Sequence, residues 1–199
     1  QRRQPISKLG YFGAPFRPNA GPFADQVIKV YRGLSDHAAL HRLAACHDHY
    51  VAVLQKTGVP LPETTFHLLD LERELVPVIV QEALPEASMM RDQMLRADSA
   101  QAIILLEAAA NVIADFWNNL ANDGLRVGFH PSIRNFAIVN GQAIFFDTFP
   151  PLIHYNRAEM GRMLLQFSEK RLMRILGPLV RGTVTSIQDE WYSPPEPFG

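Results

Sequence analysis

The chain has 199 residues, of which 47% are hydrophobic and 20% are charged, so it can bury a core of its own and does not have the composition of a disordered protein. Nineteen Lys and Arg residues balance twenty Asp and Glu residues, which gives a formal net charge of -1. No run of like charges marks a nucleic-acid surface, so we expect no nucleic-acid partner, and any phosphate site must be local.

The first part of the chain alternates short β-like runs with turn residues. Residues 8–13, KLGYFG, predict a strand that enters a glycine turn. Residues 26–31, QVIKVY, predict a second strand, after an irregular loop rich in proline and glycine. These patterns are typical of a small sheet.

A helix and two further strands follow. Ser35 and Asp36 can cap a helix over residues 37–56, where apolar residues recur at helical spacing until Gly58 ends it. Two β-like runs, residues 64–69 and 76–82, complete a strand, strand, helix, strand, strand order.

The second part of the chain is mostly helical. A weakly amphipathic stretch over residues 87–96 precedes a long predicted helix over residues 99–120. Residues 136–139 and 142–146 flank an Asn-Gly pair, the strongest short signal for a hairpin. A last helix is expected over residues 157–176, before a proline-rich tail.

Lys29 has two interpretations. Strand alternation places it on the same face as Val27 and Tyr31, opposite Ile28 and Val30. It either faces water from an edge strand, where a Lys discourages aggregation, or it points into a cleft to meet phosphate oxygens.

The order of these features resembles the protein-kinase-like fold and is similar to its small bacterial members, such as the aminoglycoside and choline phosphotransferases. The shared features are the glycine turn, the Lys in a VIK strand, the helix, the strand that runs into IVQEAL, the long helix, and the Asn loop before a hairpin that ends in Asp. The resemblance covers almost the whole chain. It implies an α+β fold of two lobes, a small β-rich N-lobe with one helix (residues 1–84) and a mostly helical C-lobe (residues 85–199), with ATP and Mg²⁺ in the cleft between them.

The resemblance also assigns nucleotide-binding residues. Lys29 would pair with the α- and β-phosphates of ATP, and Gly10 and Gly13 would form the loop over them. The segment from Glu82 to Leu84 would be the hinge whose backbone contacts the adenine edge.

Two side chains at the base of the predicted hairpin match the metal ligands of the family. Asn135 corresponds to the metal-binding Asn of the catalytic loop, and Asp147 to the Asp that holds Mg²⁺ after the hairpin. Oxygen ligands of this kind suit Mg²⁺. Arg134, beside Asn135, either neutralises a phosphate or anchors the loop.

This chain departs from the family pattern at two positions. The family pairs its strand Lys with a Glu from the following helix; this helix has no Glu, and Asp48 is either a shorter substitute or a solvated helix residue. The catalytic acid of the family stands five residues before the metal-binding Asn, where this chain has His130. A second alignment matches Phe-His-Pro of this chain, residues 129–131, to the Leu-His-Pro of the small-molecule kinases, and it puts Gly128 at the position of the acid. The acid is therefore missing in either alignment.

His130 has two interpretations. It can serve as the general base, because an imidazole titrates near neutral pH. It can also be a loop residue hydrogen-bonded to backbone. In either case phosphoryl transfer depends mainly on positioning and electrostatics, so loss of the acid need not abolish it.

Other features predict location and packing. The longest apolar stretch, residues 100–110, is interrupted by Glu107 and is too short to cross a bilayer, so we expect no membrane association. The start of the chain has no signal-peptide pattern, and the single Cys46 favours a reducing compartment and a packing role, so a cytoplasmic location is expected. The His47 and His49 side chains face different directions on a helix and are not expected to bind zinc. The aromatic residues near the hairpin are expected in the core.

Two functions follow. The first is an ATP-dependent phosphotransferase that acts on a hydroxyl of a small metabolite, or on a Ser or Thr of a peptide in a biosynthetic pathway. The alternative is a pseudokinase, a nucleotide-, peptide- or protein-binding module with a regulatory or scaffolding role. The sequence does not name the acceptor.

Overall fold

The structure is a computed structural model, and it describes residues 4–5, 15–31, 36–71, 74–121, 125–155 and 159. Two predicted features fall elsewhere. The glycine turn with Gly10 and Gly13 lies outside the described residues, and so does the last helix predicted over residues 157–176, apart from residue 159.

An antiparallel sheet forms the first part of the described chain. Its strands are β1 (Gln4–Pro5), β2 (Phe16–Arg17), β3 (Gln26–Val30), β4 (Thr64–Leu71) and β5 (Glu74–Glu82). They lie in the order β1-β2-β3-β5-β4. The strands β3, β4 and β5 confirm the predicted runs, whereas β2 lies in the segment predicted to be an irregular loop, because a two-residue strand is too short to show a pattern.

The helix predicted between the strands is confirmed as α1 (His37–Lys56). The Asp36 carboxylate accepts hydrogen bonds from the first-turn amides and caps the helix. Gly58, with φ 87°, follows the last turn in a conformation that favours glycine. The buried stripe of α1 packs against β4 and β5.

Two helices open the second part of the described chain. After a 3₁₀ turn (Glu86–Ser88) come the short α2 (Met90–Met94) and the long α3 (Ser99–Leu120). Asp98 and Gln101 form a capping box, in which each side chain bonds the backbone N–H of the other residue. These contacts fix the start of α3 where the sequence predicted it.

The predicted hairpin is also confirmed. Its strands are β6 (Phe136–Val139) and β7 (Gln142–Phe145), and the turn residues Asn140 and Gly141 have φ 51° and 80°. Positive φ at both central residues is the geometry that an Asn-Gly turn favours. Phe136 pairs with Phe145, so residues 135 and 146 lie together at the open end of the hairpin.

One face of α3 is buried and another is exposed. Every third or fourth residue from Ala109 to Leu120 packs inward, whereas Ile103 and Ile104 are 56% and 63% exposed. By length and composition alone α3 could cross a membrane, and only 22% of its most apolar window is buried inside the protein. This corrects the expectation that the apolar run is too short to cross a bilayer, because α3 continues to Leu120. The cytoplasmic location stays a prediction.

One hydrophobic cluster underlies the described chain. It contains side chains from the sheet, α1, α3 and the hairpin. Four rings within it make tilted or edge-on contacts, those of Phe116, Phe129, Phe136 and Phe145. Cys46 is buried in the same cluster, which confirms its packing role. The architecture is α+β with a small antiparallel sheet, and the core holds the hairpin against the sheet.

Candidate functional site

Lys29 points from β3 towards the segment that follows β7. Its Nζ donates a hydrogen bond to the Phe146 carbonyl at 3.0 Å, and Gln81 Nε2 donates to the same oxygen at 3.1 Å. Tyr31, two residues further along the chain, stacks on the Phe149 ring at 3.9 Å between centroids. β3 lies between β2 and β5 and is not an edge strand, so the interpretation of Lys29 as a water-facing edge residue is wrong.

Asp147 follows Phe146, and the charges of Lys29 and His130 both act on its carboxyl group. Burial raises the pKa of its carboxyl, while Lys29, His130 and a hydrogen bond from the Phe149 backbone N–H lower it. In turn, burial lowers the pKa of Lys29 and of His130, and Asp147 opposes both changes. Lys29 and His130 therefore both interact electrostatically with Asp147.

Asn135 holds the loop that precedes the hairpin. Its Nδ2 lies 3.1 Å from the His130 carbonyl oxygen and 3.1 Å from His130 Nδ1. Because a carbonyl oxygen only accepts, Nδ2 must be the amino end of the amide, and Oδ1 accepts no hydrogen bond from any described residue. The Phe146 N–H donates to the Asn135 carbonyl at 3.0 Å, so the loop and the residue before Asp147 are joined.

Asn135 and Asp147 stand at the two ends of the hairpin, and both side chains carry oxygen donors. The Oδ1 of Asn135 and the carboxylate of Asp147 fit Mg²⁺, which prefers oxygen ligands and keeps waters and phosphate oxygens for its other positions. Within the described part of the chain, no group of three or more His, Cys, Asp and Glu side chains could hold a metal ion. The donor set therefore suits a magnesium ion that shares its coordination with a ligand, and does not suit a structural zinc.

The prediction that Asp48 faces Lys29 is corrected by the structure. Asp48 is exposed on α1, and the charge that lowers its pKa, against the effect of burial, is that of His67. His47, one residue earlier and therefore about 100° around the helix, is buried at 1% exposure. Its Nε2 hydrogen-bonds Thr148 Oγ1 at 3.0 Å, next to Asp147, so α1 presents a neutral imidazole to the site and not an acid.

Two of the three backbone amides in the predicted hinge donate hydrogen bonds to described residues. The Glu82 N–H donates to the Glu63 carbonyl at 2.8 Å, and the Ala83 N–H donates to the Asp25 carbonyl at 2.9 Å. The Leu84 N–H donates to none of the described residues. Of the two hinge residues predicted from the sequence, the Glu82 amide is therefore already used within the sheet region, and the Leu84 amide is not used by any described residue.

The other predicted site residues either make no contact with Lys29, His130 or Asp147 that the structure describes, or lie outside the described residues. Arg134 is exposed, and its backbone N–H, not its guanidinium, bonds the loop, at 3.3 Å from Ser132 Oγ. Gly128 is buried, and its carbonyl accepts a hydrogen bond from the Tyr50 hydroxyl. Gly10 and Gly13 lie outside the described residues. The structure thus assembles Lys29, His130, Asn135 and Asp147, without the Arg134 side chain.

Sequence reasoning missed Gln81 and Thr148. Gln81 is a buried polar residue at the end of an apolar strand, and it pairs with Val27 on the face that also carries Lys29. A glutamine in that position of an apolar run was a usable signal, because a buried amide must find partners. Thr148 is fully buried and follows a lone Asp, and no pattern in the sequence pointed to its bond with His47.

Comparison of the whole chain with known proteins gives a family. No curated protein matches it. One family model covers residues 1–198, and its description states no activity. The chain therefore belongs to DUF6206, a family of unknown function.

Proposed function

We propose that the chain is a kinase-like phosphotransferase that binds ATP with Mg²⁺ and moves the γ-phosphate to a hydroxyl of a small metabolite, or of a peptide Ser or Thr. One observation supports this above all. Lys29 Nζ lies 3.0 Å from the Phe146 carbonyl, and the Phe146 N–H bonds the Asn135 backbone carbonyl, so Lys29 and the two ends of the hairpin are joined through one residue. Asp147 is the next residue.

In this proposal the sheet with α1 forms an N-lobe over residues 1–84, and residues 85–199 form a C-lobe. The hinge between them is the segment ending at Leu84, whose backbone N–H would donate to the adenine edge. An amide without a partner at that position fits a ligand that supplies an acceptor.

Lys29 suits contact with phosphate because its ammonium group has three N–H donors. One of them is used by the Phe146 carbonyl, so two remain for phosphate oxygens. Loss of that contact on binding would also be tolerated, because the same carbonyl still accepts from Gln81. Asn135 and Asp147 would hold Mg²⁺, which neutralises charge on the phosphate oxygens.

The transfer conserves atoms and charge. The acceptor oxygen forms a bond to the γ-phosphorus, the bond from that phosphorus to the β–γ bridging oxygen breaks, and ADP leaves with the bridging oxygen. The proton of the acceptor hydroxyl passes to water. The chain contributes positioning and electrostatic stabilisation, which dominate phosphoryl transfer.

A second function is favoured by one specific observation. The loop position five residues before Asn135, where the resemblance expects the catalytic acid, holds His130, whose ring and carbonyl are both bonded to Asn135. This supports a pseudokinase that binds nucleotide, peptide or protein without transferring phosphate.

Calorimetric titration with a non-hydrolysable ATP analogue, with and without Mg²⁺, tests the shared part of both functions. We expect magnesium-dependent binding that weakens at least about tenfold in Lys29→Met and Asp147→Asn, since each removes a charged contact. Lys56→Met and Asp70→Asn, at exposed positions, are the matched controls. No magnesium-dependent binding by the wild type would overturn the kinase-like assignment.

Transfer itself separates the two functions. The protein is incubated with ATP labelled in the γ-phosphate and with mixtures of small hydroxyl compounds and Ser- or Thr-containing peptides. Label that enters an acceptor, and does so in wild type but not in Asp147→Asn, supports the transferase. Binding without any transfer supports the pseudokinase.

A further inference from the structure

The residues on both sides of Asp147 are held by other parts of the chain. Before it, the Phe146 carbonyl accepts hydrogen bonds from side chains of β3 and β5, at 3.0 and 3.1 Å. After it, the Thr148 hydroxyl belongs to a fully buried residue and hydrogen-bonds His47 Nε2 of α1 at 3.0 Å. The sheet and α1 therefore anchor the backbone on either side of one carboxylate.

The anchored backbone contacts the carboxylate directly. The Phe149 backbone N–H, on the far side of Thr148, donates a hydrogen bond to the Asp147 carboxylate. The Phe149 ring stacks on the Tyr31 ring, at 3.9 Å between centroids. The orientation of the carboxylate therefore depends on the position of Thr148 and Phe149, which side chains of α1 and of the end of β3 hold.

The imidazole of His47 is itself fixed, and packing alone does not explain it. His47 is 1% exposed, and its ring lies 5.1 Å, between centroids, from the Phe66 ring of β4. Its Nδ1 is buried and has no hydrogen-bond partner among the residues that the structure describes. A buried polar atom without a partner lowers stability, so an apolar side chain would fill this position at less cost. The hydrogen bond to Thr148 is what an imidazole adds there.

We infer that His47 is a positioning residue for Asp147: through the Thr148 hydroxyl it holds the Asp147 carboxylate in the orientation that binds the metal ion of a magnesium nucleotide. This inference rests on the proposed function, because it takes Asp147 as a metal ligand. Mg²⁺ demands nearly ideal octahedral geometry, so a carboxylate that is already oriented binds it more tightly than one that must be ordered on binding. In this chain α1 supports the metal ligand, whereas the resemblance predicts that it supports Lys29.

Substitutions of Thr148 test the role of the hydroxyl. Thr148→Val keeps the shape of the side chain and removes the hydroxyl, whereas Thr148→Ser keeps the hydroxyl. The probe is Mn²⁺, which takes the same oxygen ligands as Mg²⁺, added to the complex with a non-hydrolysable ATP analogue and counted by electron paramagnetic resonance. We expect Thr148→Val to weaken Mn²⁺ binding about tenfold or more, and Thr148→Ser to stay within about threefold of wild type.

Substitutions of His47 give a second pair. His47→Leu should weaken Mn²⁺ binding about tenfold or more, and His47→Gln, which extends an amide close to the position of Nε2, should recover most of that loss. The affinity for the ATP analogue without metal separates positioning from a general structural role. It should be unchanged in all four variants, because the inference assigns His47 and Thr148 to the metal ligand and not to the nucleotide.

Thr57→Val is the matched control. The Thr57 hydroxyl is also buried, and it bonds the Val53 and Leu54 carbonyls of α1, so its loss should lower stability without changing the affinity for Mn²⁺.

The outcomes separate the inference from the proposed function. Equal Mn²⁺ affinity in Thr148→Val and wild type would overturn the positioning role and leave the proposed function intact. An equal loss in Thr57→Val and Thr148→Val would also overturn it, because general destabilisation would then explain both. If the wild-type complex binds no Mn²⁺, the proposed function fails, and the positioning role fails with it.

Discussion

His47 should make the fold sensitive to acid. Burial and the nearby charge of Lys29 lower the pKa of His47 from 6.5 to about 3. In the unfolded chain the histidine takes up its proton near pH 6.5, so between that pH and about 3 the unfolded chain binds one proton more than the folded chain. Stability is therefore complete above this window and falls as the pH is lowered through it. Each pH unit costs about 1.4 kcal/mol, which gives about 3 kcal/mol at pH 4.

Substitution of His47 by Leu isolates this effect. At pH 7 the variant loses the 3.0 Å hydrogen bond to Thr148 Oγ1, and the hydroxyl left without this partner is buried, which should cost about 1–3 kcal/mol. Two factors favour the stability of the variant. It lacks the buried Nδ1 that has no hydrogen-bond partner in wild type, and it has no imidazole to take up a proton when the chain unfolds. The variant should be less stable than wild type at pH 7 and as stable or more stable at pH 4.

Urea denaturation followed by tryptophan fluorescence, at one-unit steps from pH 7 to pH 4, gives the difference in free energy of unfolding between the two proteins. His41→Leu, at an exposed position of α1, controls for the loss of one imidazole from the chain. A difference between wild type and His47→Leu that stays constant with pH would show that His47 is not buried as the structure has it, and would remove α1 from the site.

Three further substitutions test the site and the fold. Burial raises the pKa of the Asp147 carboxyl, so its contribution to stability falls as the pH rises from the ordinary carboxyl value. The free energy of unfolding of Asp147→Asn, relative to that of wild type, should therefore increase with rising pH. A relative free energy that decreases with rising pH would contradict this. Asp98→Ala removes the cap of α3 and should cost about 1 kcal/mol, with faster hydrogen exchange in the first turn of that helix; unchanged exchange would refute the cap. Phe116→Ala removes a ring with 0% exposure and should lower the free energy of unfolding, measured by urea denaturation, by about 3–5 kcal/mol. Ile103→Ala, at a residue that is 56% exposed, should lower it by under about 1 kcal/mol. Equal losses in the two variants would contradict the assignment of the buried and exposed faces of α3.

The bounds of the local elements could be predicted because short-range chemistry determines them. The cap at Asp36 and the glycine at Gly58 delimit α1, and the Asn-Gly pair places the hairpin turn. These signals act over a few residues and do not depend on the rest of the fold. The α+β class follows from the same signals.

The direction of side chains across the site was harder to predict. His47 lies on the stripe at positions 40, 43, 47, 50 and 54, all buried in the structure, so helical spacing already pointed to it and away from Asp48. Chemical type instead predicts an acid as the partner of Lys29, which points to Asp48. The partners of Gln81 and Thr148 come from strands and loops far apart in the chain, and only the tertiary structure brings them together.

The convergence of Lys29, Asn135 and Asp147 on one ion and one nucleotide is the central claim. Mn²⁺ takes the same oxygen ligands as Mg²⁺, and its unpaired electrons broaden the NMR signals of nearby nuclei. With a non-hydrolysable ATP analogue present, we predict that Mn²⁺ broadens the side-chain amide signal of Asn135 first, and that Asp147→Asn abolishes the effect. Broadening that leaves Asn135 unaffected, or that is unchanged in Asp147→Asn, would contradict the account.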